Sequence, residues 1–203
     1  RNSDDGCVIP IIEAKGGSNE NGSCWASGAG IGSGGNTLNK TTINIEGGEI
    51  TATGGVSLDS RNHSDERLSG AGIGSGSNVS GETEINIKGG TITKVTGGKY
   101  GGAGIGSGSS DTKDDSKKGA VTINITDGTI EKAEGKNGGA GIGSGYYGRS
   151  STVNISGNAE LKDVRGGNLA AGIGSGYDSD KVDVVIDGGT INATGGDSAA
   201  GIG

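Results

Sequence analysis

The chain has 203 residues, of which 48 are Gly and only 29% are apolar, with no Phe, no Met and a single Trp. This composition excludes an ordinary thick hydrophobic core, and the lack of a strict third-residue glycine period excludes collagen. The formal net charge of −7, without any Lys/Arg cluster, argues against binding to nucleic acid or to an anionic membrane surface. No apolar run reaches the roughly 18 to 20 residues of a membrane span, so we expect one domain and no membrane span.

The N-terminal segment, residues 1–28, is predicted to cap the fold and to contain its first partial coil. Pro10 lacks a backbone N–H and therefore limits strand pairing at this end. Cys7 and Cys24 are the two cysteines of the chain, and a disulfide between them would stabilise the fold by about 3 kcal/mol. Two buried thiols are the alternative, since the spacing fits no zinc site. A disulfide would require an oxidising, exported compartment.

Residues 29–203 are built from a repeated unit. Its first part is the glycine segment Ala-Gly-Ile-Gly-Ser-Gly, and its second part contains two stretches of alternating Ile, Val and Thr separated by a Gly pair. The period-two alternation predicts strands rather than helices, and a unit of this length predicts a solenoid. The glycine segment begins at Ala29, Ala71, Ala103, Ala140 and Ala171, and a sixth copy begins at Ala200.

Three short strands per unit with glycine-rich corners predict the fold. Parallel strands need protection on both faces, which a coil that stacks on itself provides. We therefore predict an all-β chain that forms a right-handed parallel β-helix, or β-solenoid, of about six three-stranded coils. Stacking places equivalent residues above one another, so the Ile and Val positions of successive units should form narrow interior columns.

Four interior columns are predicted, together with one outward-facing column of amides. The stacked amides should support the coil register rather than bind a ligand. The interior columns are Ile31, Ile73, Ile105, Ile142, Ile173 and Ile202; Ile43, Ile85, Ile123, Val153 and Val184; Ile45, Ile87, Ile125, Ile155 and Ile186; and Ile12, Ile50, Ile92, Ile130, Leu161 and Ile191. The amide column is Asn44, Asn86, Asn124 and Asn154, and Val185 interrupts it.

The alternating units Ala-Gly-Ile-Gly-Ser-Gly and Ile-Asn-Ile-x-Gly-Gly-x-Ile-Thr-Ala-x-Gly-Gly resemble repeats in large surface proteins of gut-dwelling Gram-positive bacteria. The resemblance covers nearly the whole chain. It implies a pectin-lyase-like β-helix outside the cell, at the bacterial surface or secreted, and it contributes no catalytic residue. Because the chain starts without Met and ends inside a repeat, we also expect it to be a segment of a longer protein.

Two long insertions in the first two coils form the first candidate site. They contain the single Trp and the single His of the chain, and they should leave the same corner of neighbouring coils and touch. An aromatic ring beside carboxylates can stack on a sugar and bond its hydroxyl groups, although Trp25 roofing the cap above solvated charges is the alternative. The binding candidates are Trp25, His63 and Asp65, and the catalytic candidates, if the chain is an enzyme, are Asp59, Asp65, Glu66 and His63.

Tyrosines form the second candidate site. Tyr146 and Tyr177 follow the glycine segments of adjacent units, so their rings should lie about one strand spacing apart. Together with Tyr147 and Asp178 they resemble an aromatic platform for a sugar. Tyrosines without a specific role on the surface are the alternative.

Two further features bear on partners and ligands. If Ala and Ile face inward, Gly30, Gly32 and their equivalents leave a bare flank through which the chain could associate with itself, as it could through an open last coil. Crowding in a narrow coil, which also requires Gly at these positions, is the plainer explanation and is favoured. Acidic residues at 111–115 and 178–180 raise calcium as an alternative ligand, although neither stretch matches a known calcium loop. No other metal or cofactor is predicted.

Two functions from different classes fit these features. The first is a non-catalytic extracellular repeat module that acts as a rigid scaffold, with a glycan or a host surface protein as its partner. The second is a fragment of a carbohydrate-active β-helix enzyme, a glycoside hydrolase or polysaccharide lyase, which would need two suitably spaced carboxylates, one with a raised pKa. The first is favoured, because Asp59, Asp65 and Glu66 share one hydrophilic loop where nothing would raise a pKa.

Overall fold

The structure is a computed structural model that describes residues 9–18, 26–58, 67–111 and 119–203. No helix in this described part of the chain is long and apolar enough to cross a membrane. The strands are β1 (Ile11–Lys15), β2 (Ile31–Gly32), β3 (Thr41–Ile45), β4 (Glu49–Thr53), β5 (Val56–Leu58), β6 (Arg67–Ser69), β7 (Ile73–Gly74), β8 (Thr83–Thr96), β9 (Ile105–Gly106), β10 (Val121–Ile130), β11 (Ala133–Glu134), β12 (Ile142–Gly143), β13 (Ser151–Arg165), β14 (Ile173–Gly174) and β15 (Val182–Thr194).

Successive repeats pair with one another through parallel strands, which confirms the predicted all-β, parallel architecture. The repeats are numbered 1 to 5 from the alanines that open their glycine segments, Ala29, Ala71, Ala103, Ala140 and Ala171. The glycine segments form a five-stranded sheet in the order β14-β12-β9-β7-β2. The remaining strands form an eight-stranded sheet, with the exception of β5 and β6, which pair only with each other.

The predicted interior columns are confirmed residue by residue. In the glycine segments, for example, Ile73 pairs with Ile31 and with Ile105, and Ile173 forms a bridge to Ile202. The Ile and Val side chains of the central repeats are fully buried, including Ile105 and Ile123, whereas those at the edges of the stack are partly exposed. Burial of each central side chain contributes about 1.5 to 3 kcal/mol, so narrow columns replace the thick core that the composition excludes.

The prediction of three separate short strands per repeat is wrong in part. In repeats 2 to 5, the strands β8, β10, β13 and β15 run without interruption through the corner that was expected to separate two of them. The corner contains glycines with positive φ, such as Gly90 at 83°, which let the chain bend while the ladder of hydrogen bonds continues. The corner is therefore a bend in a strand rather than a loop between strands.

The amide column forms a continuous ladder of side-chain hydrogen bonds. The Nδ2 group of each Asn donates to Oδ1 of the Asn in the preceding repeat, at 3.0 Å from Asn86 to Asn44, 2.8 Å from Asn124 to Asn86 and 2.8 Å from Asn154 to Asn124. The two inner amides, Asn86 and Asn124, each use one donor and one acceptor within the ladder, which fixes the register of the repeats. This supports the structural interpretation of the column.

The glycine flank shows the crowding that was favoured as the reason for its glycines. Gly72, Gly104 and Gly141 are buried, because the glycine segments lie directly against the backbone of the strand ends that precede the next repeat. A side chain on Gly72, for instance, would overlap Val95, Thr96 and Gly104. The glycines are thus required by close approach inside the chain, and self-association through this flank stays a prediction. Association through the last coil stays a prediction.

The serine of the glycine segment has its own structural role. Its hydroxyl oxygen accepts a hydrogen bond from the backbone N–H of a glycine in the next repeat, and the side chain is buried. The bonds run from Gly76 to Ser33 at 3.2 Å, from Gly108 to Ser75 at 3.1 Å and from Gly145 to Ser107 at 2.8 Å. A buried N–H is satisfied in this way at the turn, which explains why Ser recurs there.

Candidate functional site

The tyrosine cluster, Tyr146, Tyr147 and Tyr177, lies on turns that directly follow the glycine segments. In each turn the second residue is left-handed, with φ of 47° at Tyr147 and 49° at Asp178. The backbone N–H of Tyr147 donates to the carbonyl of Tyr177 at 3.1 Å, so the two turns stack in the same register as the strands. The tyrosine side chains consequently leave neighbouring repeats at equivalent points.

The rings of the cluster pack against one another as predicted. The ring centroids of Tyr146 and Tyr177 are 5.3 Å apart with an angle of 16° between the planes, and Tyr147 lies against Tyr146 at 4.3 Å and 49°. Tyr146 is half-buried between these neighbours, whereas 38% of Tyr177 is exposed. Offset stacking of this kind stabilises a ring pair by about 0.5 to 1.5 kcal/mol beyond the area that it buries.

The scaffold is adapted to the tyrosines. Each turn residue faces the residue two positions before the glycine segment of the preceding repeat, and its N–H donates to that residue's carbonyl. A side chain on Gly138 would overlap the Tyr146 ring and Cβ of Tyr177. The large tyrosine side chains are therefore found where the facing residue is glycine. The facing pairs are Ser77 with Ser27, Ser109 with Ser69, Tyr146 with Gly101 and Tyr177 with Gly138.

This pairing of sizes distinguishes the cluster from tyrosines scattered on a surface. Where the turn residue is Ser, its hydroxyl accepts a hydrogen bond from the facing serine's N–H, at 2.9 Å for Ser77 and 2.8 Å for Ser109. Where it is Tyr, the facing position has no side chain and the ring occupies the space. Four consecutive repeats thus show two alternative solutions at one position, and only repeats 4 and 5 present aromatic rings there.

Comparison with known families assigns the architecture. The model of the β-helix repeat family matches four stretches, residues 43–77, 85–109, 123–146 and 184–203, which together make up slightly more than half of the chain. The chain belongs to the β-helix repeat family. Comparisons with curated proteins and with solved structures gave no match. Membership of the family confirms the predicted β-helix architecture and leaves the activity to be argued from the surface of the repeats.

The Tyr146 phenol should ionise at a higher pH than an ordinary tyrosine. A hydrogen bond to Tyr147 raises the pKa of Tyr146 to about 12 from an ordinary value of 10.0, and burial and the charges of Tyr147, Tyr177 and Asp178 act in the same direction. Because the folded-state pKa is the higher one, this interaction stabilises the fold below pH 10 and is lost as the pH rises through about 12.

Spectrophotometric titration of the folded protein tests this expectation. A phase of tyrosine ionisation should appear near pH 12, and Tyr146→Phe should remove it. If the phase that Tyr146→Phe removes lies near pH 10.0 instead, the packed geometry of the cluster is contradicted.

The first candidate site falls outside the described residues. Trp25, His63, Asp59, Asp65 and Glu66 belong to stretches that the structure does not describe, and the same holds for the proposed disulfide between Cys7 and Cys24. What is described is the base of the two insertions. There β5 and β6 pair as an antiparallel hairpin, and the N–H of Val56 donates to Oγ of Ser18 at 3.1 Å. The two insertions therefore meet at their bases, as expected.

The calcium alternative remains a prediction. Among the described residues, no group of three His, Cys, Asp or Glu side chains could hold a metal ion. The backbone N–H of Asp111 donates to Oδ1 of Asn78 at 3.0 Å, and residues 112–115 of that acidic stretch lie outside the described part of the chain.

Arg149 is a buried charged residue that the pattern of repeats did not predict. Only 3% of Arg149 is exposed, and its guanidinium reaches from repeat 4 to repeat 2. It donates to the carbonyl of Gly81 at 2.7 Å, to the carbonyl of Val79 at 3.4 Å and to Oγ1 of Thr83 at 3.2 Å. Burial lowers the pKa of Arg149 to about 10, so the group is still charged at neutral pH. The contacts indicate a structural link between repeats rather than a binding role.

Proposed function

We propose that this chain is a non-catalytic extracellular module of a bacterial surface protein, in which a right-handed solenoid of about six coils presents a glycan-binding surface at the tyrosine cluster. The observation that carries the proposal is the stacked pair Tyr146 and Tyr177, which the scaffold accommodates with glycine opposite each ring. The resemblance to surface-protein repeats supports the location outside the cell.

The stacked repeats supply the rigidity that such a role needs. Each central repeat is tied to its neighbours by the Ile columns, the amide ladder and the serine hydrogen bonds. Side chains on successive repeats are therefore held about 4.8 Å apart, and motion of the solvent-exposed loops does not alter this spacing. A surface held in this way can bind with little loss of conformational entropy.

The chemistry of the cluster suits a sugar. The C–H groups on one face of a sugar ring pack against an aromatic ring, while carboxylates and phenols at the edge bond its hydroxyl groups. Tyr177 is the more exposed ring of the stacked pair, and the exposed carboxylate of Asp178 follows it directly in the chain. The cluster thus combines an aromatic surface with polar groups beside it.

Screening on a glycan array tests the proposal. The chain and a Tyr146→Ser/Tyr177→Ser variant should be compared, because Ser77 and Ser109 occupy the same turn position in repeats 2 and 3 and the fold accepts Ser there. We expect the variant to keep its circular dichroism spectrum and to lose binding by about tenfold or more, as expected for the removal of aromatic side chains that dominate an interface.

Leu38→Ser is a matched control, since Leu38 is an apolar side chain with 77% exposure in repeat 1. It should leave glycan binding unchanged. Binding that survives in the double tyrosine variant and is lost in Trp25→Ala would move the site to the N-terminal insertions and contradict the proposal. Absence of binding by the folded chain would leave a scaffold role, with a host surface protein as the partner to test next.

The same protein and the glycans from the array also test the enzyme alternative. Any glycan that binds can be incubated with the chain and analysed for cleavage products. Turnover that disappears in Asp65→Ala or Glu66→Ala, while the fold is kept, would establish a glycoside hydrolase or polysaccharide lyase instead of a binding module.

A further inference from the structure

A groove at a different corner of the repeats is formed by a break in their regularity. In repeats 1, 2, 3 and 5, the corner contains three residues between the last Ile of the first strand segment and the first paired residue of the second segment. In repeat 3, for example, these two residues are Ile125 and Thr129. In repeat 4 the corresponding interval, from Ile155 to Glu160, is one residue longer. The extra residue produces a register shift against both neighbouring repeats.

The groove at this bulge has the size of a small-molecule site and a polar lining. Its volume is about 380 Å³, in the lower part of the range of roughly 300 to 1,000 Å³ for ligand pockets. Its lining includes Gly128, Gly157 and Gly189, where no side chain separates a ligand from the backbone. The polar side chains around it come from three successive repeats and are Asp127, Thr129, Asn158, Glu160 and Thr190.

Two of these side chains are already held in position. Oδ1 of Asp127 accepts a hydrogen bond from the N–H of Gly128 at 2.7 Å, and Oε2 of Glu160 accepts one from Oγ1 of Thr129 at 3.4 Å. Asn158, the exposed residue at the bulge, can both donate and accept hydrogen bonds. The groove therefore offers acceptors, an amide and hydroxyl groups within one concave surface.

We propose that this corner groove binds one neutral sugar unit. Of the two lining carboxylates, Glu160 is paired with Lys162, whose Nζ lies 3.6 Å from Oε2, so the negative charge of Asp127 disfavours phosphorylated, sulfated or uronic acid ligands. A metal ion is disfavoured because no suitable group of three ligating side chains occurs in the described chain. Neighbouring hydroxyl groups of a neutral sugar can donate to the carboxylates of Asp127 and Glu160, while Asn158 bonds a third position.

This site lies outside the tyrosine cluster, so it stands or falls independently of the proposed function. Nuclear magnetic resonance spectra of the amide-labelled chain separate the two sites, because ligand at the groove shifts the amide signals of Gly128, Gly157 and Gly189. The probes are the methyl glycosides of glucose, galactose, mannose and N-acetylglucosamine. Glucuronic acid and calcium chloride serve as comparisons. At least one neutral glycoside should shift the three glycine signals.

Two variants identify the groups responsible. Asp127→Ala/Glu160→Ala should weaken the binding by about tenfold or more, since hydrogen bonds to two charged acceptors are lost. Deletion of Asn158 restores the three-residue interval of the other repeats and should abolish the shifts while the fold is kept. Glu46→Ala, which removes an exposed carboxylate at the same corner of repeat 1, is the matched control.

Three results would overturn the proposal. The first is that no neutral glycoside moves the groove signals of the folded chain, and the second is that calcium chloride or glucuronic acid alone moves them. The third is that the shifts persist unchanged in the Asp127→Ala/Glu160→Ala variant. Should deletion of Asn158 unfold the chain, the double alanine variant and its control still decide the outcome.

Discussion

Gly106→Ala should destabilise the fold by about 4 kcal/mol or more, a large part of the stability of an ordinary domain. Gly106 is buried in β9, and its φ of 137° lies in a region that a residue with a side chain rarely adopts. A Cβ there would also overlap the carbonyl group of Gly143 in the next repeat. Backbone strain and steric overlap therefore add, and the neighbouring repeat would have to move away.

Urea unfolding followed by circular dichroism measures this effect, and Gly47→Ala is its control. Gly47 has an ordinary φ, and a Cβ placed there would contact nothing within 4 Å. Its replacement should be neutral, or stabilising by about 0.4 to 1 kcal/mol, because Ala restricts the unfolded chain. Equal midpoints for the chain and Gly106→Ala would show that the repeats are less tightly stacked than described.

Arg149→Ala is expected to have the second largest effect, a loss of about 3 to 5 kcal/mol. The buried guanidinium satisfies the carbonyls of Val79 and Gly81, and its removal leaves these acceptors unpaired next to a cavity. Repeats 2 and 4 would lose a direct connection. Arg149→Lys should recover part of the stability, because an ammonium group retains the charge without the planar arrangement of donors.

Arg165→Ala provides the comparison for the loss of an arginine at the surface. Its Nε atom lies 2.6 Å from Oδ1 of Asp163, and more than half of its side chain is exposed. Surface ion pairs of this kind contribute about 1 kcal/mol or less. If Arg149→Ala and Arg165→Ala shift the unfolding midpoint by the same small amount, the buried contacts of Arg149 are not stabilising.

The two sugar sites proposed here use the scaffold in different ways. The tyrosine cluster replaces Ser with Tyr at a turn that otherwise keeps its geometry. The corner groove arises from one extra residue in repeat 4. Both sites are departures from the repeat pattern in its later units. Because the rest of the array is rigid and regular, a single local change is enough to create a new surface.

Much of the architecture follows from the sequence alone, because a repeat has to stack on itself. The period-two alternation identified the strands, and the equivalence of positions identified the Ile columns, the amide ladder and the proximity of Tyr146 to Tyr177. These features depend on neighbouring repeats adopting the same conformation. A pattern of identical residues at a fixed interval contains that information directly.

Other features were decided only by the tertiary structure. The burial of Arg149 depends on contacts across two repeats, between residues 149 and 79–83, that no periodicity relates. The sequence left a bare flank and crowding as two possible reasons for the alternating glycines, and what lies against them depends on how the coil closes. The groove at Asn158 was visible in the sequence as one extra residue in one interval. Its volume and the lining that three repeats contribute exist only once the neighbouring corners are stacked in space.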